Sequence, residues 1–170
     1  MGETTSVPQA RIIVREVSSP VEMEEVFQIR DEVFVHEQEL TNDARFDPDD
    51  RRSVHYLAYY GGEPVGTGRL TMINREAQVA WVAVRKQYRK YGVGKAVMLA
   101  ILERARDEDA DYVVLNAQSH ALEFYSRLGF ESLGHEFRMA GIPHQVMMLG
   151  LTRQGSDEAR SFFRGNSSGI

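Results

Sequence analysis

Apolar and polar positions change in a regular way over residues 11–152, and turn residues interrupt them at short intervals. Residues 54–60 and 64–73 flank the pair Gly61-Gly62, which is a strong signal for a tight hairpin. Residues 112–116 (YVVLN) are almost wholly apolar, as is typical of a buried parallel strand. The pattern predicts seven strands, over residues 11–17, 54–60, 64–73, 77–84, 112–116, 130–139 and 145–152.

Helical spacing predicts three main helices between these strands. A capping box at Ser19 begins the first helix, and its single apolar stripe includes one charged residue, Arg30. Residues 91–107 form the most regular helical pattern of the chain, with apolar residues on one face. A third helix runs from a capping Ser119 to Gly129. The element order β-α-(α)-β-β-β-α-β-α-β-β predicts a mixed α/β domain.

Composition bounds the organisation and the chemistry of the chain. Its 170 residues suit one domain, which we expect over residues 11–152, between a flexible leader (1–10) and a mobile tail (153–170). The net charge of −5 argues against a general nucleic-acid binder. The absence of cysteine excludes disulfides and thiolate nucleophiles. No His or Asp pair has the spacing of a metal site. Since no apolar run approaches the ~20 residues of a membrane span, we expect a cytoplasmic protein without a membrane partner.

The stretch WVAVRKQYRKYGVGKA, residues 81–96, leads from an apolar strand through basic residues and two glycines into a helix. Such a turn presents free backbone N–H groups at a helix N-terminus, where the dipole favours anions, so it is a candidate pyrophosphate site. It is not a Walker A loop, because Arg89 and Ala96 replace a required glycine and a required Ser or Thr. It lacks the dinucleotide fingerprint, because Val97 replaces the third glycine. The alternative is an ordinary turn with a solvated basic face.

Two motifs in this chain resemble those of a known family. The segment Arg89-x-x-Gly92-x-Gly94, directly after a strand, resembles the coenzyme A loop of the GNAT superfamily of N-acetyltransferases. Downstream, ALEFYSRLGF (121–130) is similar to the A-x-x-F-Y-x-x-x-G-F segment of that family. IRDEVFVHEQE (29–39) and AGIPH (140–144) resemble its ElaA/YjcF-like branch. The resemblance extends over residues 11–152.

The resemblance implies the GNAT fold, a mixed, mostly antiparallel, twisted sheet of about seven strands flanked by helices. It also implies acetyl-CoA as co-substrate, direct transfer of the acetyl group to an amine, and no metal. Residues 82–84 would pair with the pantetheine chain, and the glycine loop would hold the pyrophosphate. The implied cofactor-binding residues are Val82, Ala83, Val84, Arg89, Lys90, Tyr91, Gly92, Val93, Gly94, Lys95, Asn116 and Tyr125.

The resemblance assigns catalytic roles unevenly. Tyr125 occupies the family position of the acid that protonates the departing thiolate, and the Val84 N–H is the candidate oxyanion donor. Many GNAT enzymes carry a glutamate base on or near the fourth strand, but residues 77–81 contain no acid. Glu37 and His55 are therefore the catalytic base candidates, followed by Glu136, His120 and His144. A water chain, or an acceptor amine of low pKa, would need no dedicated base.

The acceptor is expected to be a small-molecule or peptide amine. Asp47, Asp49 and Asp50 form an acidic cluster that would attract a cationic amine if it lined the mouth of the site. Two other readings stay open: a non-catalytic acyl-CoA-binding module, and an enzyme like the acyl-homoserine-lactone synthases, which have a segment comparable to Arg30-x-x-Val33-Phe34. Monomer and homodimer are both compatible with the sequence.

Overall fold

The structure, a computed structural model, describes residues 11–40 and 43–165. The leader expected over residues 1–10 lies outside these residues, as do the last five positions of the expected tail. The strands are β1 (Ile12–Glu16), β2 (Val54–Tyr60), β3 (Glu63–Ile73), β4 (Glu76–Val84), β5 (Tyr112–Gln118), β6 (Glu131–Met139) and β7 (Ile142–Gly150). The helices are α1 (Pro20–Arg30), α2 (Val93–Asp107), α3 (Leu122–Arg127) and α4 (Arg153–Gly165). A π-helical segment (Asp31–Glu37) continues α1, and short 3-10 helices cover Pro48–Arg52, Lys86–Tyr88 and Ser119–Ala121.

The seven strands form one sheet in the order β1-β2-β3-β4-β5-β7-β6. β4 and β5 pair in parallel, and every other neighbouring pair is antiparallel. The parallel pair lies at the centre of the sheet, where helices cover both faces, which explains the apolar sequence of β5. The predicted mixed, mostly antiparallel sheet of about seven strands is confirmed.

Helix α2 covers one face of the sheet and supplies much of the main core. Val93, Val97 and Ile101 on its inner face are completely buried. Burying an aliphatic side chain of this size contributes about 1.5–3 kcal/mol. Two glycines of β3 let the helix approach closely, because a Cβ at Gly66 would lie 2.6 Å from Val93 and one at Gly68 would lie 2.7 Å from Val97. The position of α2 is therefore fixed by close packing on β3.

The opposite face of the sheet carries α1 and α4 over its two halves. α1 buries Val26 and Ile29 in a second core that includes Leu57 of β2. Successive residues of β2 alternate between this core and the one beneath α2, as the pleat requires. None of the helices within residues 11–40 and 43–165 is long and apolar enough to cross a membrane.

Residues 153–165 form helix α4, where the sequence led us to expect a mobile tail. Ala159 is completely buried against Leu133 and Met148, and Phe163 packs on the same small core. The helix approaches the loop before β5 so closely that a Cβ at Gly155 would lie 2.4 Å from the Cβ of Asp111. Gly155, Ala159 and Phe163 recur at a spacing of four, so the chain does carry a helical signal here. Two of these three residues are small, so a search for large apolar side chains at helical spacing does not detect this helix.

Candidate active site

The site begins where β4 and β5 separate. Their parallel pairing ends at Val79 and Leu115, although both strands continue beyond that point. On its other side β4 has a bulge, since Thr67 pairs with Ala83 whereas Arg69, two residues later, pairs with Ala80. Within the bulge Trp81 adopts a left-handed backbone conformation, with a φ of 54°. The extra residue bends β4 away from β5 and opens a cleft between the strands.

The last residues of β4 present one edge to this cleft. Val84 pairs with Gly66 on the β3 side, and the next N–H, that of Arg85, donates to the Val65 carbonyl at 2.8 Å. Because peptide groups alternate along a strand, the Val84 N–H faces the other edge, toward the cleft. In the described part of the chain, no strand pairs with residues 82–84 on that edge. The edge predicted to bind pantetheine is therefore open.

The glycine loop meets the cleft at the N-terminus of α2. Gly92 is the N-cap, with a φ of 81° that strongly favours glycine, and a Cβ added there would meet no atom within 4 Å. The N–H groups of Val93, Gly94 and Lys95 lie in the first turn, where a helix offers them no internal partner. Lys90 and Tyr91 are exposed beside them. Loop and helix together form an open, electropositive cradle of backbone donors.

Gly94 serves a different purpose from Gly92. A Cβ at Gly94 would lie 3.3 Å from the Phe124 ring and 3.6 Å from the Val84 side chain. The absence of a side chain therefore lets α3 pack beside the start of α2 and the end of β4. This contact brings the two motifs of the sequence together at one end of the cleft.

Arg89 is engaged within the protein. Its Nε donates to the Val84 carbonyl at 2.9 Å, and its two terminal nitrogens bind both oxygens of Glu37. Arg89 therefore ties the end of the π-helical segment to the loop. The same hydrogen bonds lower the pKa of Glu37, which makes its carboxylate a weaker base than an ordinary glutamate. The structure does not favour the base role considered for Glu37.

Tyr125 lies on α3, and only 8% of its surface is exposed. Its ring contacts Phe124 and Phe130 edge-on, with centroids 4.9 and 5.8 Å away. Burial raises the pKa of the phenol, so the hydroxyl keeps its proton across the neutral range. The aromatic contacts hold the ring in place. Tyr125 is thus a core residue and, at the same time, a fixed phenol that can donate a proton.

His55 is part of a buried cluster on the α1 side of the sheet. Arg30 has only donors, so its contact at 3.3 Å requires the Nδ1 atom of His55 to accept. The other nitrogen, Nε2, then donates to the Asp50 carbonyl at 2.9 Å. Burial, opposed by that hydrogen bond, lowers the pKa of His55. With both nitrogens engaged and the ring neutral, His55 does not have the surroundings of a catalytic base.

The acidic segment contributes to the same cluster, and this corrects the expectation of a free acidic mouth. Asp50 binds Arg30 at 2.9 Å, and Asp47 binds Arg69 at 2.8 Å. Asp47 also accepts a hydrogen bond of 2.8 Å from the indole N–H of Trp81. Burial alone would raise the pKa of Asp47, but these donors together lower it. Asp47 and Asp50 are therefore paired with buried arginines, and Asp47 also binds the bulge of β4 through Trp81.

The remaining acid and base candidates lie elsewhere. Asp49 pairs with Arg52 at the surface. His144 is buried, with its Nδ1–H donating to the Ile142 carbonyl at 2.7 Å. Glu136 accepts a hydrogen bond from Ser119, and His120 is exposed on the following turn. The structure provides no contact that links any of these side chains to the cleft.

A cavity of about 490 Å³ lies beneath the cleft, on the face opposite α2. Its wall includes a charged residue from β3, polar residues from β4 and β5, and two aromatic residues from α4: Arg69, Gln78, Asn116, Phe162 and Phe163. Asn116 follows the last paired residue of β5, so it stands where the strands separate. The cavity therefore extends from the point where β4 and β5 separate to helix α4.

Glu76 also lines this cavity, and the sequence analysis did not identify it. Its carboxylate accepts hydrogen bonds from the Tyr112 hydroxyl at 2.6 Å and from the Gln78 amide at 2.7 Å. Burial, followed by Glu76 itself, raises the pKa of Tyr112. Glu76, Gln78 and Ala80 alternate along β4, so the period of two was a signal that would have placed this acid in the site. It lies just outside the segment searched for a base.

Comparisons with known proteins agree with this geometry. The family model for the acetyltransferase (GNAT) domain matches residues 16–151. YjcF, an uncharacterized N-acetyltransferase of Bacillus subtilis, is 38% identical over 128 residues, which cover 75% of this chain and 91% of YjcF. The crystal structure of Escherichia coli ElaA has a TM-score of 0.73 and 26% identity, covering 81% of this chain and 99% of ElaA. A putative N-acetyltransferase from Lactobacillus plantarum shares the fold, with a TM-score of 0.75 and 24% identity over 82% of this chain and 98% of that one. The chain therefore belongs to the GNAT acetyltransferases, and within them to the ElaA/YjcF-like type.

Proposed function

We propose that this protein transfers an acetyl group from acetyl-CoA directly to the amine of an acceptor. The observation that carries the proposal is the open edge of β4 beside the N-terminus of α2. An unpaired strand edge suits the peptide-like groups of pantetheine, and a helix N-terminus suits a pyrophosphate. The two features adjoin in one cleft, as an extended ligand with both groups requires.

The residues present fit acetyl-CoA. The N–H groups of residues 93–95 would bind phosphate oxygens, and exposed Lys90 and Lys95 would add charge. The space that a Cβ at Gly92 would take is open to such a ligand. Bound acetyl-CoA would supply the thioester, an acyl group ready for attack by an amine. Arg89 would act by holding the loop, since its guanidinium is already shared between Glu37 and Val84.

Two groups of the chain would serve the transfer itself. The Val84 N–H, which faces the cleft, would donate a hydrogen bond to the oxygen that gains charge during attack. The Tyr125 hydroxyl would give its proton to the departing sulfur as the carbon–sulfur bond breaks and the carbon–nitrogen bond forms. Burial raises the pKa of the Tyr125 phenol, so the hydroxyl holds its proton at neutral pH until the sulfur takes it. The neutral amine loses one proton to water in the same process, and the Tyr125 phenolate regains one from water, so charge and atoms balance.

No side chain is assigned as the base. Glu37 is bound by Arg89, and both nitrogens of His55 are engaged. An acceptor amine of low pKa, or water leading to solvent, would remove the need for a dedicated group. Without a dedicated base, the rate of acetyl transfer should follow the fraction of acceptor amine that is deprotonated at each pH. Such a rate would show a single rise with pH that moves when the acceptor is changed.

Release of free CoA from acetyl-CoA over a panel of amines tests the proposal. We expect acceptor-dependent release by the wild type, and a fall in kcat of about 10²-fold or more for Tyr125→Phe, since general acid catalysis contributes about 10²–10⁴-fold. The phenylalanine keeps the ring contacts, so the fold should survive. Binding of acetyl-CoA without release on any amine would instead support the non-catalytic binding module. Equal turnover by wild type and variant would remove Tyr125 from the mechanism.

A further inference from the structure

The five histidines of the chain lie in different surroundings. Three of them are exposed at the surface, namely His36, His120 and His135. His55 is buried, and both of its ring nitrogens are engaged. His144 is also buried, with 5% of its surface exposed, but its hydrogen bonding uses one ring nitrogen alone. His144 is therefore the buried histidine that keeps a nitrogen for another partner.

The hydrogen bond of His144 fixes the position of its proton. The Ile142 carbonyl can only accept, so the Nδ1 atom of His144, 2.7 Å away, carries the proton. In the neutral ring Nε2 then has a free lone pair, and it has no hydrogen-bond partner among the described residues. The fully buried side-chain atoms of those residues that lack a partner are all arginine Nε atoms, so Nε2 keeps some contact with solvent. Phe137 stacks on the imidazole, with ring centroids 6.0 Å apart, and holds the ring in place.

The register of the sheet places His144 level with the proposed oxyanion donor. His144 pairs with Gln118, which lies three residues beyond the end of the parallel pairing between β4 and β5. On β4, Ala83 lies four residues beyond that end, and the bulge takes up one of the four. Gln118 and Ala83 are therefore at the same height on the two sides of the cleft. The Val84 N–H belongs to the peptide group that directly follows Ala83.

His144 also lies on the face of the sheet that is left for an acceptor. Directly paired residues of neighbouring strands point to the same face, so the imidazole shares the face of the Gln118 side chain. That side chain exchanges two hydrogen bonds, of 3.1 and 2.9 Å, with Gln38, directly after the π-helical segment. The segment continues α1, which covers the face opposite α2. Because the proposed cofactor site is at the N-terminus of α2, an acceptor approaches from this opposite face.

We propose that His144 is the base that takes a proton from the acceptor ammonium. This inference rests on the proposed function and names a group for the step that it leaves unassigned. A protonated amine cannot attack the thioester until one of its N–H bonds breaks. In that step the proton passes from the ammonium to Nε2, directly or through one water, and leaves a neutral amine and an imidazolium. The imidazolium then releases the proton to solvent, so each turnover regenerates the base.

The acids closest in the chain to the neighbours of His144 are engaged elsewhere. Glu37, at the end of the π-helical segment, binds Arg89. Glu136, on β6, accepts a hydrogen bond from Ser119. Within the described residues, neither of these carboxylates forms a hydrogen bond or ion pair with His144. Neither of them therefore competes with an acceptor for the imidazole.

The dependence of kcat on pH separates this mechanism from one without a base. Wild-type protein saturated with acetyl-CoA is assayed for CoA release with benzylamine, glycinamide and hydroxylamine, three amines of decreasing basicity. Proton transfer to His144 predicts a single rise of kcat with pH, with the same midpoint for every amine that reacts. A midpoint that follows the basicity of the amine overturns the inference. Release with no amine at all would instead contradict the proposed function, so the two failures are distinguishable.

His144→Asn tests the same step from the side of the protein, and it decides if one amine alone reacts. Asparagine keeps a donor for the Ile142 carbonyl, because its amide nitrogen is as far along the side chain as Nδ1, but it has no atom in place of Nε2. We expect kcat at neutral pH to fall about 10²-fold or more, since general base catalysis contributes about 10²–10⁴-fold. The KM for acetyl-CoA should not change.

The matched control is His135→Asn, which removes an exposed histidine of β6 and should leave kcat unchanged. In His144→Asn the residual rate should rise with pH according to the basicity of the amine, which a merely structural defect would not produce. A kcat within about threefold of the wild type for folded His144→Asn overturns the inference. If that variant does not fold, the wild-type pH profiles decide.

Discussion

The two sides of β4 are built from different kinds of groups. On the α2 side, the cleft is formed by backbone: an unpaired strand edge, a left-handed Gly92 and the first N–H groups of a helix. On the α1 side, it is supported by side chains from five separate elements, namely Arg30, Asp47, Asp50, His55, Arg69 and Trp81. The first side depends on local conformation, and the second on buried charge.

This difference has a physical consequence. Backbone donors keep their place as long as the chain keeps its turn, so a change there should affect binding more than stability, with the strain of a positive φ as the main cost. Buried charges must all be paired, because an ion left alone in the interior loses hydration without compensation. A change on the α1 side should therefore lower stability first. Trp81 connects the two sides, because its backbone forms the bulge and its indole binds Asp47.

The largest effect is expected for Arg30→Ala. Arg30 is completely buried, binds Asp50 through two nitrogens and lies 5.0 Å from the centroid of the Trp81 ring. Its removal leaves a carboxylate that is 11% exposed without its closest cation, so we expect a loss of about 3–5 kcal/mol in the free energy of unfolding.

Urea denaturation, read at an unchanged m-value, measures this loss. Arg75→Ala is the matched control, because Arg75 forms a comparable two-nitrogen contact with Asp111 but is 65% exposed. Its loss should be several times smaller. Equal losses for both variants would mean that burial of the cluster does not matter.

A smaller effect is expected from pH. The pKa of His55 lies below its ordinary 6.5 in the native protein, mainly because the ring is buried. Just below pH 6.5 the unfolded chain binds a proton that the native protein does not, so stability rises with pH in that window and falls as the pH drops. One such proton corresponds to at most about 1.4 kcal/mol per pH unit.

Urea midpoints between pH 5 and 8 check this slope. His55→Gln should flatten it, because glutamine can accept from Arg30 without taking up a proton. His120→Gln removes an exposed histidine and should leave the slope intact. If the dependence of stability on pH were unchanged in His55→Gln, a group other than His55 would take up the proton on unfolding.

The smallest effect is expected for Glu37→Gln. Glu37 pairs with Arg89 near the surface, and such pairs contribute about 0–1 kcal/mol. We expect kcat to stay within about threefold of the wild type. The KM for acetyl-CoA should rise slightly, because the glycine loop loses the ion pair between Arg89 and Glu37. A general base would cost about 10²-fold or more. Steady-state kinetics with one fixed acceptor would separate the two outcomes, and a fall of that size would return Glu37 to the mechanism.

The two sides also differ in how far the sequence predicts them. The glycine loop, the strand before it and the segment around Tyr125 are contiguous, so local patterns were sufficient. The cluster on the α1 side depends on contacts such as those of Asp50 with Arg30 and Arg69, which lie about twenty residues away on either side. A single sequence gives no direct sign of such pairs. The one local hint was Arg30 itself, a charge within the apolar stripe of α1.

Helix α4 and Glu76 were overlooked for simpler reasons. The inner face of α4 includes Gly155 and Ala159, which pack closely without adding to an apolar pattern. Glu76 lies at the first position of β4, one residue before the predicted start of that strand. Both line the cavity on the face opposite α2, so this cavity was the feature least predictable from sequence.

The central claim is that the N-terminus of α2 binds the pyrophosphate of acetyl-CoA, and Gly92→Asp tests it most directly. Gly62→Asp is the matched control, because Gly62 also has a positive φ, 86°, and open space around its Cβ position, but lies in the β2–β3 turn. Calorimetry with acetyl-CoA should show a loss of affinity of at least about tenfold for Gly92→Asp, equivalent to about 1.4 kcal/mol, and an unchanged affinity for Gly62→Asp. Equal affinities for wild type and both folded variants would contradict the claim.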